Sequence, residues 1–304
     1  MTRIFTDFFY VLIKKNPRKS VSSAASAFQS ISILFMNQFE KQLEILKAKR
    51  AKAKIQVQTL GNFQVWREGV PVPSQAWGRD KTVQLFQFFV TARKRKALHK
   101  EQIMDRLWNE DSDSGDPIFK VALHGINKIL EPNKKSHADA HFIVRQGVTY
   151  LMDFSEIWVD TDALEAYIAL GNQLLVENPP AAQIAYQEAI ALYEGIYLPN
   201  RLYEDWSSDE RERLQVLALG AIVTLAELLL HDNPMESIRF AQQALLIDSA
   251  WEDAYRILME AYFIKGNRPM AIKTYQQCEK ILEEEFGIEP LPETKALLKR
   301  IKNT

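Results

Sequence analysis

From Ile55 the chain alternates between apolar and polar positions. Ile55, Val57 and Leu60, then Phe63, Val65 and Trp66, carry the apolar set, with Gly61-Asn62 and Glu68-Gly69 as turns and Val70-Pro71-Val72-Pro73 closing the run. A period near two buries one face of a strand, so this stretch predicts a small antiparallel sheet. After Asp80 the period lengthens to that of a helix. Asp80 stands as the N-cap of a helix from Lys81 to Ala92 with Val83, Leu85, Phe86, Phe89 and Val90 for the core, and a second helix over Lys100 to Trp108 buries Ile103, Leu107 and Trp108. Asn109–Asp116 reads as a flexible acidic loop, and Pro117 opens a third helix that runs to Leu130 and stops at Glu131-Pro132. Phe142-Ile143-Val144 and Val148 to Met152 then flank Arg145-Gln146-Gly147 as a β-hairpin. Sheet, three helices and hairpin, in that order, predict an α+β winged helix-turn-helix domain over residues 54–156.

From about Trp158 the pattern is helical throughout, and the best self-match falls at the tetratricopeptide period of about 34 residues. Tyr255, Leu258, Tyr262, Gly266, Ala271, Tyr275 and Cys278 occupy the large, aromatic, turn and small-residue places of such a repeat. Ala221, Thr224, Leu228, Asp232, Ser237, Ala241 and Ala244 form a weaker copy one period earlier. Residues 157–304 therefore read as an all-α tetratricopeptide-like repeat domain, whose stacked helix pairs offer an inner face to a peptide or another helix. Residues 1–53 form a basic helical extension in which Phe28, Ile31, Phe35, Phe39, Leu43 and Leu46 make one apolar stripe. That stripe docks on the chain's own domains or forms a dimer seam.

Composition changes the picture in one respect. The formal net charge of the 304 residues is −1, yet residues 1–53 carry ten Lys/Arg against three Asp/Glu, residues 54–135 fourteen against nine, and residues 136–304 fourteen against twenty-seven. The first part is suited to a polyanion and the last is not. The single cysteine, Cys278, excludes an internal disulfide and fits a reducing cytoplasm. No secretory signal and no membrane-spanning run is present. His99, His124, His137, His141 and His231 lack metal-ligand spacing, no phosphate-binding loop or nucleophile elbow occurs, and neither an enzyme nor a cofactor is implied.

The pieces from about Ile55 to Ile301 resemble the SARP-type regulators (Streptomyces antibiotic regulatory protein family), which carry a bacterial transcriptional activator domain. The resemblance rests on Leu60-Gly61-Asn62-Phe63 with Gly69, Gly78-Arg79-Asp80-Lys81, Asp105-Arg106-Leu107-Trp108 and Leu130-Glu131-Pro132. In the helical half it rests on Tyr203-Glu204-Asp205-Trp206 leading into Glu210-Arg211-Glu212-Arg213-Leu214, and on Glu284-Glu285-Phe286-Gly287-Ile288-Glu289-Pro290 followed by Pro292-Glu293-Thr294. It implies promoter binding by the winged helix, often as a homodimer on direct repeats, with recruitment of RNA polymerase. The recognition helix would be Phe119 to Leu130, with Lys120, His124, Asn127 and Lys128 in the major groove of double-stranded DNA and Arg145 of the wing in the minor groove. Lys81, Lys134 and Lys135 are expected at phosphates, and Arg93-Lys94-Arg95-Lys96 offers a further backbone contact. Where the family usually has arginines, this chain has Gly125, Asn127 and Lys128; where it usually has a glycine in the wing, Thr149 stands. The resemblance thus leaves two functions: a DNA-binding regulator whose helical domain meets polymerase or a regulatory protein, and a protein-interaction scaffold whose winged helix has lost specific readout.

Overall fold

The computed structural model describes residues 39–95, 97–108, 112–134 and 140–303, with the side chains of 112–115 excepted. Phe28, Ile31 and Phe35 of the expected stripe, and Lys96, Lys135 and His137, lie outside the described residues. The described chain falls into two compact units. The first consists of Ala48–Leu164 and Leu192–Val216; the second holds the described part of Met1–Lys47 with Glu165–Ala191 and Leu217–Thr304.

In the first unit, β1 (Ile55–Gln58), β2 (Gln64–Arg67) and β3 (Val70–Pro71) form the expected antiparallel sheet, with Val57 opposite Val65. A fourth strand, β7 (Ile157–Val159), was not expected, since the sequence there reads as the start of the helical region. It pairs in parallel with β1, Ile157 beside Ile55, so the sheet order is β3-β2-β1-β7. All three of its residues are buried, which erases the alternation that marks a strand. Between these strands in sequence come α2 (Asp80–Thr91), β4 (Leu98–His99), α3 (Lys100–Trp108), α4 (Ser112–Leu130), β5 (Ile143–Gln146) and β6 (Thr149–Met152). The last two make the expected hairpin and add β4 in the order β4-β6-β5. Helices α2 and α3 both pack on α4 around Phe86, Phe89, Ile103, Phe119 and Ile126, with Phe119 against Tyr150 at 4.8 Å between ring centroids.

Three expectations are corrected here. Pro117 lies inside α4 rather than opening it, because the helix begins at Ser112 and takes in part of the expected acidic loop. Asp80 is the first residue of α2 and does not cap it. Its carboxylate instead receives Arg201 Nη1 at 2.9 Å and Nη2 at 2.5 Å, a bidentate charge-assisted pair that occupies both its oxygens. Residues 193–207, read as part of a helical run, instead contain short 3-10 turns at Pro199–Arg201 and Asp205–Ser207, and Glu194 to Leu198 lie along the end of β1. There Leu60 bridges Tyr197, and Gly61 donates its N–H to Ile196 O at 3.1 Å. Gly61 has φ +74°, and a Cβ on it would meet the Glu194 carbonyl carbon at 2.7 Å. Only glycine supplies both that conformation and that clearance.

The second unit is helical: α1 (39–52, of which 39–47 belong here), α5 (Asp160–Leu174), α6 (Pro179–Leu192), α7 (Ser208–Leu229), α8 (Pro234–Ile247), α9 (Glu252–Ile264), α10 (Arg268–Phe286) and α11 (Pro292–Asn303), where α5, α6 and α7 also give residues to the first unit. One start signal recurs. Asn178, Asn233 and Asn267 precede α6, α8 and α10, and each side-chain carbonyl accepts a backbone N–H three residues on, from Ala181, Glu236 and Met270 at 3.3, 3.3 and 3.2 Å. A proline follows each within two residues, where its missing N–H costs nothing. α10 ends as expected at Gly287, whose φ of +66° lets its N–H return to Glu283 O at 3.0 Å. On α1, Phe39 is buried and Lys47 pairs with Glu188 at 2.6 Å, so this end of the stripe docks on the chain itself.

Candidate nucleic-acid interface

α4 presents two unlike faces. Phe119, Ala122, Ile126, Ile129 and Leu130 point into the core, while Lys120, Val121, His124 and Lys128 are exposed along one side. Asn127, expected to read a base edge, is on the inner side at 5% exposure, and its carboxamide oxygen has no hydrogen-bond partner. It is one helical turn from both Leu123 and Leu130, so the same 3.6-residue period that buries Leu130 buries Asn127. Gly125 also faces a neighbour: a Cβ there would meet Thr82 Cγ2 of α2 at 2.8 Å. Two of the three positions at which family arginines were expected are therefore packing positions, and of the three only Lys128 is exposed.

The hairpin lies beside α3. The N–H of Lys100, first residue of α3, donates to Val148 O at the tip, 3.0 Å away. Arg145 is exposed on β5 and its Nε donates to Gly147 O at 2.8 Å. Thr149 suits the place where a glycine was expected, because its hydroxyl closes the turn onto Gln146 O at 2.8 Å. Lys100 and Lys120 share one carboxylate, that of Asp116.

The remaining expected cations are held in other ways. Lys81 is the second residue of α2, with its ammonium 5.4 Å from the Trp108 ring centroid. Lys134 pairs with Glu131 at 2.8 Å. Burial works against that Glu131 charge, but the hydrogen bonds from Lys134 and the His141 N–H hold its carboxyl below the usual carboxylate range. Arg93 does not serve a phosphate: its side chain is 3% exposed and is taken by Asp162 at 2.6 Å and Glu210 at 3.1 Å. Sequence reasoning missed these anchors together with Arg67, whose Nη1 donates to Ile129 O at 2.5 Å near the end of α4, and Asp160, whose buried carboxylate accepts from Thr59 N and Oγ1 at 2.6 Å, Leu60 N at 2.8 Å and Thr161 N at 2.8 Å. Partners separated by 62 to 117 residues leave no local period to read.

In the second unit a groove of about 700 Å³ is lined by apolar Val223, Ile257 and Leu297 and by the carboxylates of Glu227 and Glu293. Asp253 and Glu260, also on its wall, pair with Arg256 and Arg300. Among the described residues no group of His, Cys, Asp and Glu could hold a metal ion, and no helix is long and apolar enough to cross a membrane.

Residues 159–302 match the family described as bacterial transcriptional activator domain. The class so indicated is that of the domain itself, an activator domain of bacterial transcriptional regulators in the second half of the chain. The fold is also similar to a solved structure of Mycobacterium tuberculosis EmbR in complex with a low-affinity phosphopeptide, with a TM-score of 0.71 at 18% identity over 83% of this chain. This chain spans 65% of that one. No curated protein sequence matches it. The match to the activator domain is what the resemblance to the SARP-type regulators implies for the second half of the chain.

Proposed function

We propose that the first unit is a winged helix that binds double-stranded promoter DNA, with α4 as the recognition helix and the β5–β6 hairpin as the wing. The observation that carries this reading is the alignment of Lys120, His124 and Lys128 on the one exposed face of α4, next to a hairpin that offers Arg145. A helix with a short row of cations fits the major groove, where charge meets phosphate and a side chain such as His124 reaches base edges. The basic balance of residues 54–135 favours the same polyanion. Lys128→Ala is expected to weaken preferred and random duplexes alike and to lower the salt slope by about one unit, while His124→Ala costs about 1–3 kcal/mol at one base pair only. Selection from a randomised duplex pool, followed by affinity titrations at several salt concentrations, decides this. A wild-type protein that selects no site leaves the scaffold reading. Footprints repeated at one helical turn mark a homodimer on direct repeats.

The second unit, on this reading a tetratricopeptide-like array, takes polymerase or a regulatory protein in its groove. Glu227 and Glu293 have no cationic partner in the described chain, so the fitting occupant is a protein segment with apolar side chains and Lys or Arg. Reversing both charges, Glu227→Lys with Glu293→Lys, is expected to abolish activated transcription in vitro while DNA affinity stays unchanged. Full activation by that variant would rule the groove out.

A further inference from the structure

The carboxylate of Asp116 sits where two of the surface lysines converge. It pairs with Lys100 Nζ through Oδ1 and with Lys120 Nζ through Oδ2 at 2.7 Å. Lys100 begins α3 and its N–H is tied to the wing tip, while Lys120 is on the exposed face of α4. Cations from two helices are thus gathered on a single oxyanion, with one oxygen for each ammonium, and the wing tip is joined to the first of them through its backbone. A backbone phosphate presents the same chemistry: two anionic oxygens able to accept from two cations at once.

We propose that Asp116 occupies the seat of a DNA phosphate in the free protein and thereby holds down its affinity for DNA. The inference rests on the DNA-binding reading of the first unit. Lys120 is mostly exposed, so its ion pair is screened and a phosphate can displace the carboxylate. Once displaced, Asp116 stays within the ~8 Å screening length of the phosphate and repels it. Both effects reduce the counterion release that drives binding, and they do so for every sequence equally.

The test compares Asp116→Asn with Asp105→Asn, which makes the same charge change at an exposed position of α3 without touching either lysine. Each full-length protein is titrated with a random-sequence duplex and with its selected site at several salt concentrations. Asp116→Asn is expected to bind both duplexes about ten-fold more tightly near 0.1 M salt and to steepen the salt slope by about one to two units. Asp105→Asn should change little, and in a Lys100→Gln/Lys120→Gln background the gain from Asp116→Asn should shrink to the small one left by through-space repulsion alone. Thermal melts confirm that each variant is folded. If wild type binds and Asp116→Asn binds no more tightly, or no more tightly than Asp105→Asn, the phosphate-seat role is wrong while the DNA-binding reading stands. If neither wild type nor Asp116→Asn binds any duplex at low salt, the DNA-binding reading falls and takes this inference with it.

Discussion

Arg201→Ala is expected to destabilise the first unit by about 3 kcal/mol, a fall in its melting temperature of roughly 10 °C. Arg201 is 7% exposed and its guanidinium makes four hydrogen bonds: Nε to Gln87 Oε1 at 2.8 Å, Nη1 to Asp80 Oδ2 at 2.9 Å and Glu204 Oε1 at 3.0 Å, and Nη2 to Asp80 Oδ1 at 2.5 Å. Asp80 is mostly exposed and would return to water at little cost, whereas Gln87 is fully buried and would lose its acceptor's partner. That orphaned carboxamide and the lost packing of the arginine stem carry most of the loss. Arg201→Lys should recover only a minor part, because one ammonium cannot span acceptors on three side chains set out for a planar fork. Calorimetry of the full chain measures both values, and a loss below 1 kcal/mol for the alanine variant would show that solvent replaces the network.

Gly125→Arg gives opposite results depending on whether sequence or packing governs. By the family pattern it restores a missing DNA contact. By the packing of α4 on α2 it drives a Cβ to within 2.8 Å of Thr82 Cγ2, on a residue that is itself buried. The helix gains about 1 kcal/mol from losing a glycine, but overpacking a helix contact costs typically 1–3 kcal/mol and a buried charged stem costs more. We expect a net loss of about 3 kcal/mol and weaker DNA binding, as α4 is levered away from α2. The paired experiment isolates the clash: Gly125→Ala should be destabilising in the native background and neutral or stabilising with Thr82→Ala, which removes the opposing atoms. Tighter DNA binding by Gly125→Arg in a fully stable protein would return this position to the interface.

What the sequence made legible were the elements with a sustained period. β1, β2, the β5–β6 hairpin and helices α2 and α3 follow from alternation or from a 3.6-residue stripe, and the caps Asn233 and Asn267 fall 34 residues apart, whereas Asn178 does not keep that spacing. β7 was hidden because three consecutive buried residues carry no period. The start of α4 was hidden because Ser, Asp and Gly ahead of a proline have poor intrinsic helix propensity, and packing overrode it. At the candidate site the exposed pair His124 and Lys128 was readable. Asn127 was misplaced because its residue type was weighed above its phase on the helix, although Leu123 and Leu130 already mark that phase as inward. Asp116 was noticed only as acidic composition, and the Arg201 and Arg93 anchors join positions with no relation along the chain.

The docking of Glu194 to Leu198 against the end of β1 bears on how this protein is made. β1 awaits β7, and the turn at Gly61 awaits Ile196 and Tyr197, contacts that close loops of a hundred residues or more and are therefore late and slow to form. During synthesis α4 leaves the ribosome long before Arg201 does. The first unit is thus completed only when much of the second half has been translated, and a chain cut short before residue 200 yields an unfinished fold rather than a free-standing first unit.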